Sequence, residues 1–389
     1  MREPILIVAE LNKTGSEHAT FNCAMLLALS GYAKRHEHAL LWICDPTHRH
    51  AVLSLGHSVL GEIAWQPVTV QSGLHRTFFR KFFREITITF RLLFKARRER
   101  SPIVFLSVFP NVLPFILLAH RIFRSVPVHI FLHGELESLV IPEKHAINRE
   151  GFWVKHALLH FFIGRRPFLY VLGTGIRQRL IRLLPSVPTL AYVRALDHPY
   201  PFDRWMPRVR HINAKHRVGF VGVGRRIKGI DAFFQLARSF ATEISRGDLE
   251  FIVVGGLEKG INPDDTEYVT VLAPHGAGLS TQEYRQHISE LNCAVFLSTQ
   301  NYRLTASGSV FDIINEGIEI LSLKSDYLTD LSTYDPEGGI KLFDSLEAIE
   351  TELRTRVRSG WPELAFKYEK IREIHSKEID DSQMPLFLT

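Results

Sequence analysis

The chain has 389 residues, 46% of them hydrophobic and 23% charged, with three cysteines and a formal net charge of +6. This length and balance fit a soluble globular protein of two domains, each able to bury a sizeable core. Cys23, Cys44 and Cys293 stand far apart in apolar runs, which excludes a disulfide framework and a cysteine metal site and points to a reducing compartment.

The charge is local. Residues 76–100 hold nine Lys or Arg against Glu85 and Glu99, so this segment carries +7 and the remainder of the chain about −1. One basic patch on a nearly neutral body argues for a particular anionic surface and against nucleic acid held along the whole molecule. The first eleven residues lack the basic start and cleavage site of a signal peptide.

Residues 5–9 read as a first strand and 20–35 as a helix, with Gly15 in the loop between them; 39–44 is a second strand. In the basic segment Phe78, Phe79, Phe82, Phe83, Ile86, Phe90, Leu93 and Phe94 recur at helical spacing, with Arg80, Lys81, Arg84, Arg91, Lys95 and Arg98 opposite them. That pattern suits a helix lying on an anionic membrane, or equally one that packs its Phe face on the core. Ile86 to Phe90 alternate as a strand would, which predicts a break there. Residues 103–119 carry no charge, but Pro102, Pro110 and Pro114 divide them into a strand (103–108) and a helix (112–123), each too short to span a bilayer. Further strands are expected at 128–132, 169–172 and 189–193, with a helix at 176–184.

The stretches 197–202 and 207–216 have linker composition, and the pattern then restarts. Strands are expected at 217–221, 250–254, 269–272 (ending near His275-Gly276), 294–298 and 318–323, and helices at 231–245, 281–291 and 310–315. Strand–helix alternation on both sides of the linker gives an α/β chain of two Rossmann-like, parallel-sheet domains. Ligands of such sheets bind beyond the strands' carboxyl ends, and with two sheets the cleft between them is the expected site. The domains expected are 1–200 and 211–361. The tail from 362 to 389 contains a helix that can pack back on the first domain.

Three places can carry chemistry. Ser307, Gly308 and Ser309 open a short apolar helix, whose first amides and dipole can hold an anion; Asp312, one turn in, can reach ribose or sugar hydroxyls. The alternative is an ordinary helix start capped by Ser309. Arg225, Arg226 and Lys228 follow a strand inside a glycine-rich turn, bringing cations to where a diphosphate leaving group would need them, unless they are merely solvated surface. His133 and Glu135, with Glu137 and His18 behind them, follow a strand in the first half, where a base or a hydroxyl-binding group can sit, or only a loop with a helix cap.

Together these pieces resemble the GT-B superfamily of nucleotide-sugar glycosyltransferases, nearest to family 4 and family 1-like members. The likeness is strongest from 217 to 323, where Gly-Phe-Val-Gly, Lys-Gly-Ile-Asp, Phe-Ile-Val-Val-Gly-Gly and Ala-Ser-Gly-Ser-Val-Phe-Asp-Ile-Ile follow in the family's order. The resemblance implies a GT-B architecture facing across a cleft, with an acceptor-side first domain and a second domain that holds a UDP or GDP sugar. It implies that Arg225 or Arg226 and Lys228 bind phosphate, that Ser307, Gly308 and Ser309 cover the diphosphate, and that Asp312 meets the ribose. It places His133 near the transferred sugar, Gly15 in a loop near the donor, and either His133 or Glu135 as base if the reaction inverts. It implies no metal and no other cofactor. The implied function is transfer to a saccharide or lipid-linked acceptor in bacterial polysaccharide or glycolipid assembly, cytoplasmic or on the inner face of the membrane through residues 76–100. The departures are Leu304 where the family's first glutamate stands, a shortened Arg-to-Lys spacing, and Glu319 in place of a proline. They leave a nucleotide-sugar epimerase or a catalytically silent scaffold of the same fold as rivals.

Overall fold

The computed structural model describes residues 4–70, 78–122, 126–140, 150–162, 167–202, 215–261, 266–273, 278–298, 303–361 and 366–376, with 379 and 384. Arg76, most of the linker and His275-Gly276 lie outside them. The chain divides into two compact units. The first comprises 1–201 with 304–306 and 375–389, and the second 202–303 with 307–374.

The first unit is built on a seven-stranded parallel sheet: β1 (Ile5–Glu10), β2 (Ala39–Cys44), β3 (Ala64–Pro67), β4 (Ile103–Ser107), β5 (Val128–Leu132), β6 (Phe168–Val171) and β7 (Arg194–Ala195). Its order is β3-β2-β1-β4-β5-β6-β7, so the direction of winding reverses between β1 and β4. Every residue of β4 and β5 is buried, as expected of strands covered on both faces by helices. Around them lie α1 (Ala19–Arg35), α2 (Pro46–Leu53), α3 (Phe78–Glu99), α4 (Leu113–Ile122), α5 (Glu150–His156) and α6 (Thr174–Leu183). Leu304, Ile379 and Met384 join this core from distant parts of the sequence, and Arg35 Nη2 donates to Ile379 O at 2.7 Å.

Two expectations fail here. Residues 189–193 are not a strand: Pro188 starts a single 3-10 turn to Tyr192, and only Arg194 and Ala195 pair with β6. α3 does not break at 86–90, because Glu85, Thr89, Leu92, Leu93 and Ala96 form one buried helical stripe that outweighs the local β-branched alternation. The Phe face of α3 divides accordingly. Phe82, Ile86 and Phe90 pack against the core, Phe82 edge-on to Phe115 at 5.5 Å, whereas Phe83 and Phe94 are 62% and 58% exposed. The uncharged run 103–119 is β4 and α4, and no described helix is long and apolar enough to cross a membrane.

The second unit has a six-stranded parallel sheet: β8 (His216–Val221), β9 (Leu249–Gly256), β10 (Val269–Ala273), β11 (Cys293–Phe296), β12 (Glu319–Leu323) and β13 (Ile340–Phe343). The order β10-β9-β8-β11-β12-β13 reverses between β8 and β11. Its helices are α7 (Ile230–Ser239), α8 (Ala241–Ser245), α9 (Thr281–Ser289), α10 (Gly308–Asn315), α11 (Asp326–Ser332), α12 (Leu346–Ser359) and α13 (Glu369–His375). The helix expected at 231–245 is two helices meeting at the buried Phe240. Glu319, at the position of the family's proline, is buried on β12 and forms a two-pronged salt bridge with Arg356 of α12.

Candidate functional site

In the second unit a pocket of about 410 Å³, open mouth included, lies at the carboxyl ends of β8 and β11, where the winding reverses. Phe220 and Val221 of β8 and Val295 and Phe296 of β11 supply its floor. Lys228, Ser298, Ser307, Ser309, Ser325 and Tyr327 supply its polar wall. An open parallel sheet leaves its crevice at such a point, because the connections on either side run to opposite faces.

Gly222 sets the spacing of that wall. Its φ is +96°, and a Cβ built on it would lie 3.9 Å from Ser309 Cβ and 4.0 Å from Lys228 Nζ. The ammonium of the basic turn and the start of α10 therefore meet over a residue with no side chain. The turn itself is fixed by main-chain bonds from Gly222 N to Val254 O (3.0 Å) and Gly224 N to Gly256 O (2.8 Å), and by Ser298 Oγ donating to Ile227 O (2.9 Å). Gly229 closes it at φ +85°, where a Cβ would come within 2.6 Å of Leu297 O, a position other residues cannot take.

α10 begins at Gly308, so its N-cap is Ser307 and not Ser309. The Ser307 hydroxyl does not cap the helix. It meets the Ser309 hydroxyl at 3.1 Å, and Ser307 is buried while Gly308 is exposed. The opening amides of a helix have no carbonyl of their own to donate to, and with the positive dipole end they favour an anion. Lys228 adds a full charge beside them.

The other sequence-level candidates in this unit sit elsewhere. Arg225 and Arg226 are exposed and do not line the pocket; the Arg226 guanidinium lies 3.8 Å from the Asp231 carboxylate in a solvent-exposed pair. Asp312, half-buried, accepts a hydrogen bond from Tyr284 of α9 at 3.1 Å. Ser298, Ser325 and Tyr327 escaped the sequence reading. Ser325 could have been found, since a serine just after an apolar strand and before Asp326 has the form of a helix cap, and it does accept from Leu328 N.

In the first unit His133 follows β5 and is 5% exposed. Its Nε2 lies 2.8 Å from Leu106 O, and a carbonyl only accepts, so Nε2 carries the proton and Nδ1 keeps a lone pair. Burial pulls its pKa down to about 3 against that hydrogen bond. A ring so hard to protonate suits accepting a hydrogen bond from a hydroxyl better than storing a proton. Phe21 stands edge-on to it at 4.3 Å, with His18 at 5.0 Å from His133 and His198 at 5.2 Å from Phe21. Burial also holds His18 well below the usual imidazole range, and takes His198 down to about 3. Glu135 and Glu137 are both buried in the turn after His133; Glu137 accepts from Leu304 N at 2.9 Å. Leu304, where the family has a glutamate, is itself buried in the first unit.

The sequence matches no protein-family model and no curated protein. Solved structures do match. HepE of Anabaena in complex with UDP and glucose is 12% identical with a TM-score of 0.62, covering 97% of this chain and 96% of that one. WaaG, a glycosyltransferase involved in lipopolysaccharide biosynthesis, is 13% identical with a TM-score of 0.59, covering 96% and 95%. UGT89C1 of Arabidopsis thaliana with UDP-L-rhamnose is 14% identical with a TM-score of 0.53 over all of both chains. The likeness is one of fold: two parallel-stranded α/β units in the GT-B arrangement of strands and helices.

Proposed function

We propose that the protein is a glycosyltransferase that takes a sugar from a UDP or GDP sugar and passes it to a saccharide or lipid-linked acceptor. The observation that carries this is the pocket at the β8–β11 reversal, where Lys228 Nζ, the Ser307–Ser309 hydroxyls and the first amides of α10 converge. The reading is supported by a fold on which HepE is seen with UDP-glucose. As the bond from sugar to diphosphate breaks, negative charge builds on the leaving phosphate; a fixed ammonium and fixed amides stabilise it without reorganising. Asp312, one turn along α10, is the residue assigned to the ribose. His133, through its Nδ1 lone pair, is assigned to a hydroxyl of the transferred sugar or acceptor.

Calorimetry with UDP, GDP and their sugars tests the site. Binding that weakens in Lys228→Ala and Asp312→Asn supports it, and affinity unchanged by both removes it.

The acceptor is assigned to a membrane surface in polysaccharide or glycolipid assembly. Support comes from α3, where Phe83 and Phe94 stand exposed beside Arg91, Arg97 and Arg98. Apolar rings among cations suit the interface of an anionic bilayer, at about 1 kcal/mol for each cation near the surface. Flotation with phosphatidylserine vesicles should carry the wild type and not a Phe83→Ser/Phe94→Ser variant. Equal behaviour of the two on anionic and neutral vesicles would remove the assignment.

A further inference from the structure

The first unit has its own reversal point, between β1 and β4, and it is filled from within. Glu10, the last residue of β1, is fully buried, and it pairs across the sheet with Ser107, the last residue of β4. Glu10 Oε1 accepts from Asn12 N (2.9 Å), Lys13 N (3.1 Å) and Ser107 Oγ (2.5 Å). The amides that would face a bound anion at this crevice are thus turned onto a carboxylate of the chain itself.

The other oxygen starts a chain of bonds. Asn22 Nδ2 of α1 donates to Glu10 Oε2 at 3.1 Å and lies 2.7 Å from His48 Nε2 of α2. An amide nitrogen has only protons to offer, so His48 Nε2 accepts. Its proton must then be on Nδ1, which lies 2.8 Å from Gly15 O and donates to it. The Gly15 amide is held by the same helix, donating to Thr47 Oγ at 3.1 Å. Thr47 Oγ in turn donates to Asp45 Oδ1 at 2.6 Å. Every partner in the sequence Glu10, Asn22, His48, Gly15 is fixed by donor and acceptor type. The direction of each bond follows from the carboxylate at its start.

We propose that Glu10, Asn22 and His48 are positioning residues that lock the β1–α1 loop at Gly15 for the transfer reaction. The assignment rests on the glycosyltransferase reading. Gly15 has φ +52° and open space where a Cβ would lie, and both its amide and its carbonyl are bonded to side chains of α2. His18, three residues on, also has a left-handed backbone (φ 57°) and lies against His133. The loop from 11 to 18 has only the turn bonds Glu17 N to Thr14 O (3.3 Å) and Ala19 N to Ser16 O (3.1 Å) of its own, and the relay ties it to α1 and α2. The device needs the Nδ1–H tautomer of His48, and it acts on the geometry of the first unit, not on nucleotide affinity.

The test uses the full chain and two variants at one buried position. An asparagine amide reaches the place of a histidine Nδ1, and a glutamine amide the place of Nε2. His48→Asn therefore keeps the bond to Gly15, and His48→Gln keeps only the bond to Asn22. With the nucleotide sugar that the wild type hydrolyses fastest in a UDP- and GDP-linked panel, His48→Gln should lose about tenfold or more in kcat, the scale set by a misplaced reacting geometry. His48→Asn should stay within about threefold, and the KM for the nucleotide sugar should be unchanged in both. Equal losses in the two variants, or none in either, overturn the relay. Nitrogen-15 NMR of imidazole-labelled wild type at pH 7 provides an arm that needs no turnover. It should show His48 neutral with the proton on Nδ1; an Nε2–H form or an imidazolium overturns the relay. A wild type that binds neither UDP nor GDP sinks the transferase reading while leaving the NMR result to decide the relay.

Discussion

The two sheets reverse their winding in the same way, yet their crevices hold opposite things. In the first unit the crevice between β1 and β4 contains Glu10, a buried carboxylate already saturated by two loop amides, a serine and an asparagine. In the second, the crevice between β8 and β11 is lined by Lys228 and four serines, with Gly222 leaving room between Lys228 and Ser309. One half of the molecule carries its own anion, and the other, on the proposed reading, takes one from outside. Shared topology says where a ligand could bind in both. The residue at the end of the central strand, Glu10 in one case and Val221 leading to Gly222 in the other, leaves only the second crevice open.

Removing the internal anion tests this contrast most severely. Glu10→Ala strips the acceptor from the buried Asn22 and Ser107 side chains and from the half-buried Asn12 and Lys13 amides; each buried donor left unmade costs about 1–3 kcal/mol, so the loss of stability should reach roughly 3–5 kcal/mol. A urea melt reads it, and UDP affinity measured below the transition should stay within about threefold. Lys228→Ala should do the reverse. The half-buried ammonium contributes little to folding, but a charge-assisted bond to phosphate is worth about 1.5–3 kcal/mol, so UDP affinity should fall by about ten- to a hundredfold with the melt unmoved.

Much of this contrast could not be read from the sequence. The buried runs of β4 and β5, the glycines after β8 and the Ser-Gly-Ser start of α10 are local signals, and they are enough to predict two parallel sheets and the turn that opens α10. Glu10 is a single carboxylate ending an apolar strand, indistinguishable in sequence from one pointing to water. Its partners Asn22, His48 and Ser107 are brought to it only by the fold. Arg226 shows the converse failure. It stands two residues from Lys228, but the intervening 3-10 turn (Arg226–Lys228) points its side chain to Asp231 and away from the pocket. For α3, periodicity showed that Phe residues share an arc but not that the core stripe is centred on Glu85, Thr89 and Leu92, which leaves Phe83 and Phe94 outside it.

The units should also part company in acid. His129, His133 and His198 of the first unit all have pKa values lowered to about 3 by burial. The unfolded chain takes up these protons near pH 6.5 and the native one does not, so stability is full above about pH 6.5 and is lost progressively as pH falls toward 3. The slope is up to about 1.4 kcal/mol per pH unit for each imidazole. In the second unit, burial would raise the Glu352 carboxyl, but bonds from Arg356 and Lys341 outweigh it and hold the group below its ordinary value. Its contribution is present above about pH 4.5 and lost only below that. Hydrogen exchange at pH 5 against pH 7.5, corrected for the intrinsic rate, should loosen β4 to β6 before β8 to β12. Loosening in the opposite order would contradict the burial of the three rings.

The smallest effect expected is at Arg226. Its exposed pair with Asp231 is worth about 0–1 kcal/mol, and its side chain lines no wall of the pocket, so Arg226→Ala should change UDP affinity by less than about threefold. A loss as large as that of Lys228→Ala would mean that the basic turn rearranges around the nucleotide.

A crystal structure with UDP puts the central contrast to its most direct trial. The pyrophosphate should lie in the second unit, within hydrogen-bond distance of Lys228 Nζ and the Ser309 amide, with Glu10 still bonded to Asn12 and Lys13. A pyrophosphate held by the β1–α1 loop, with Glu10 displaced from its amides, would contradict the account.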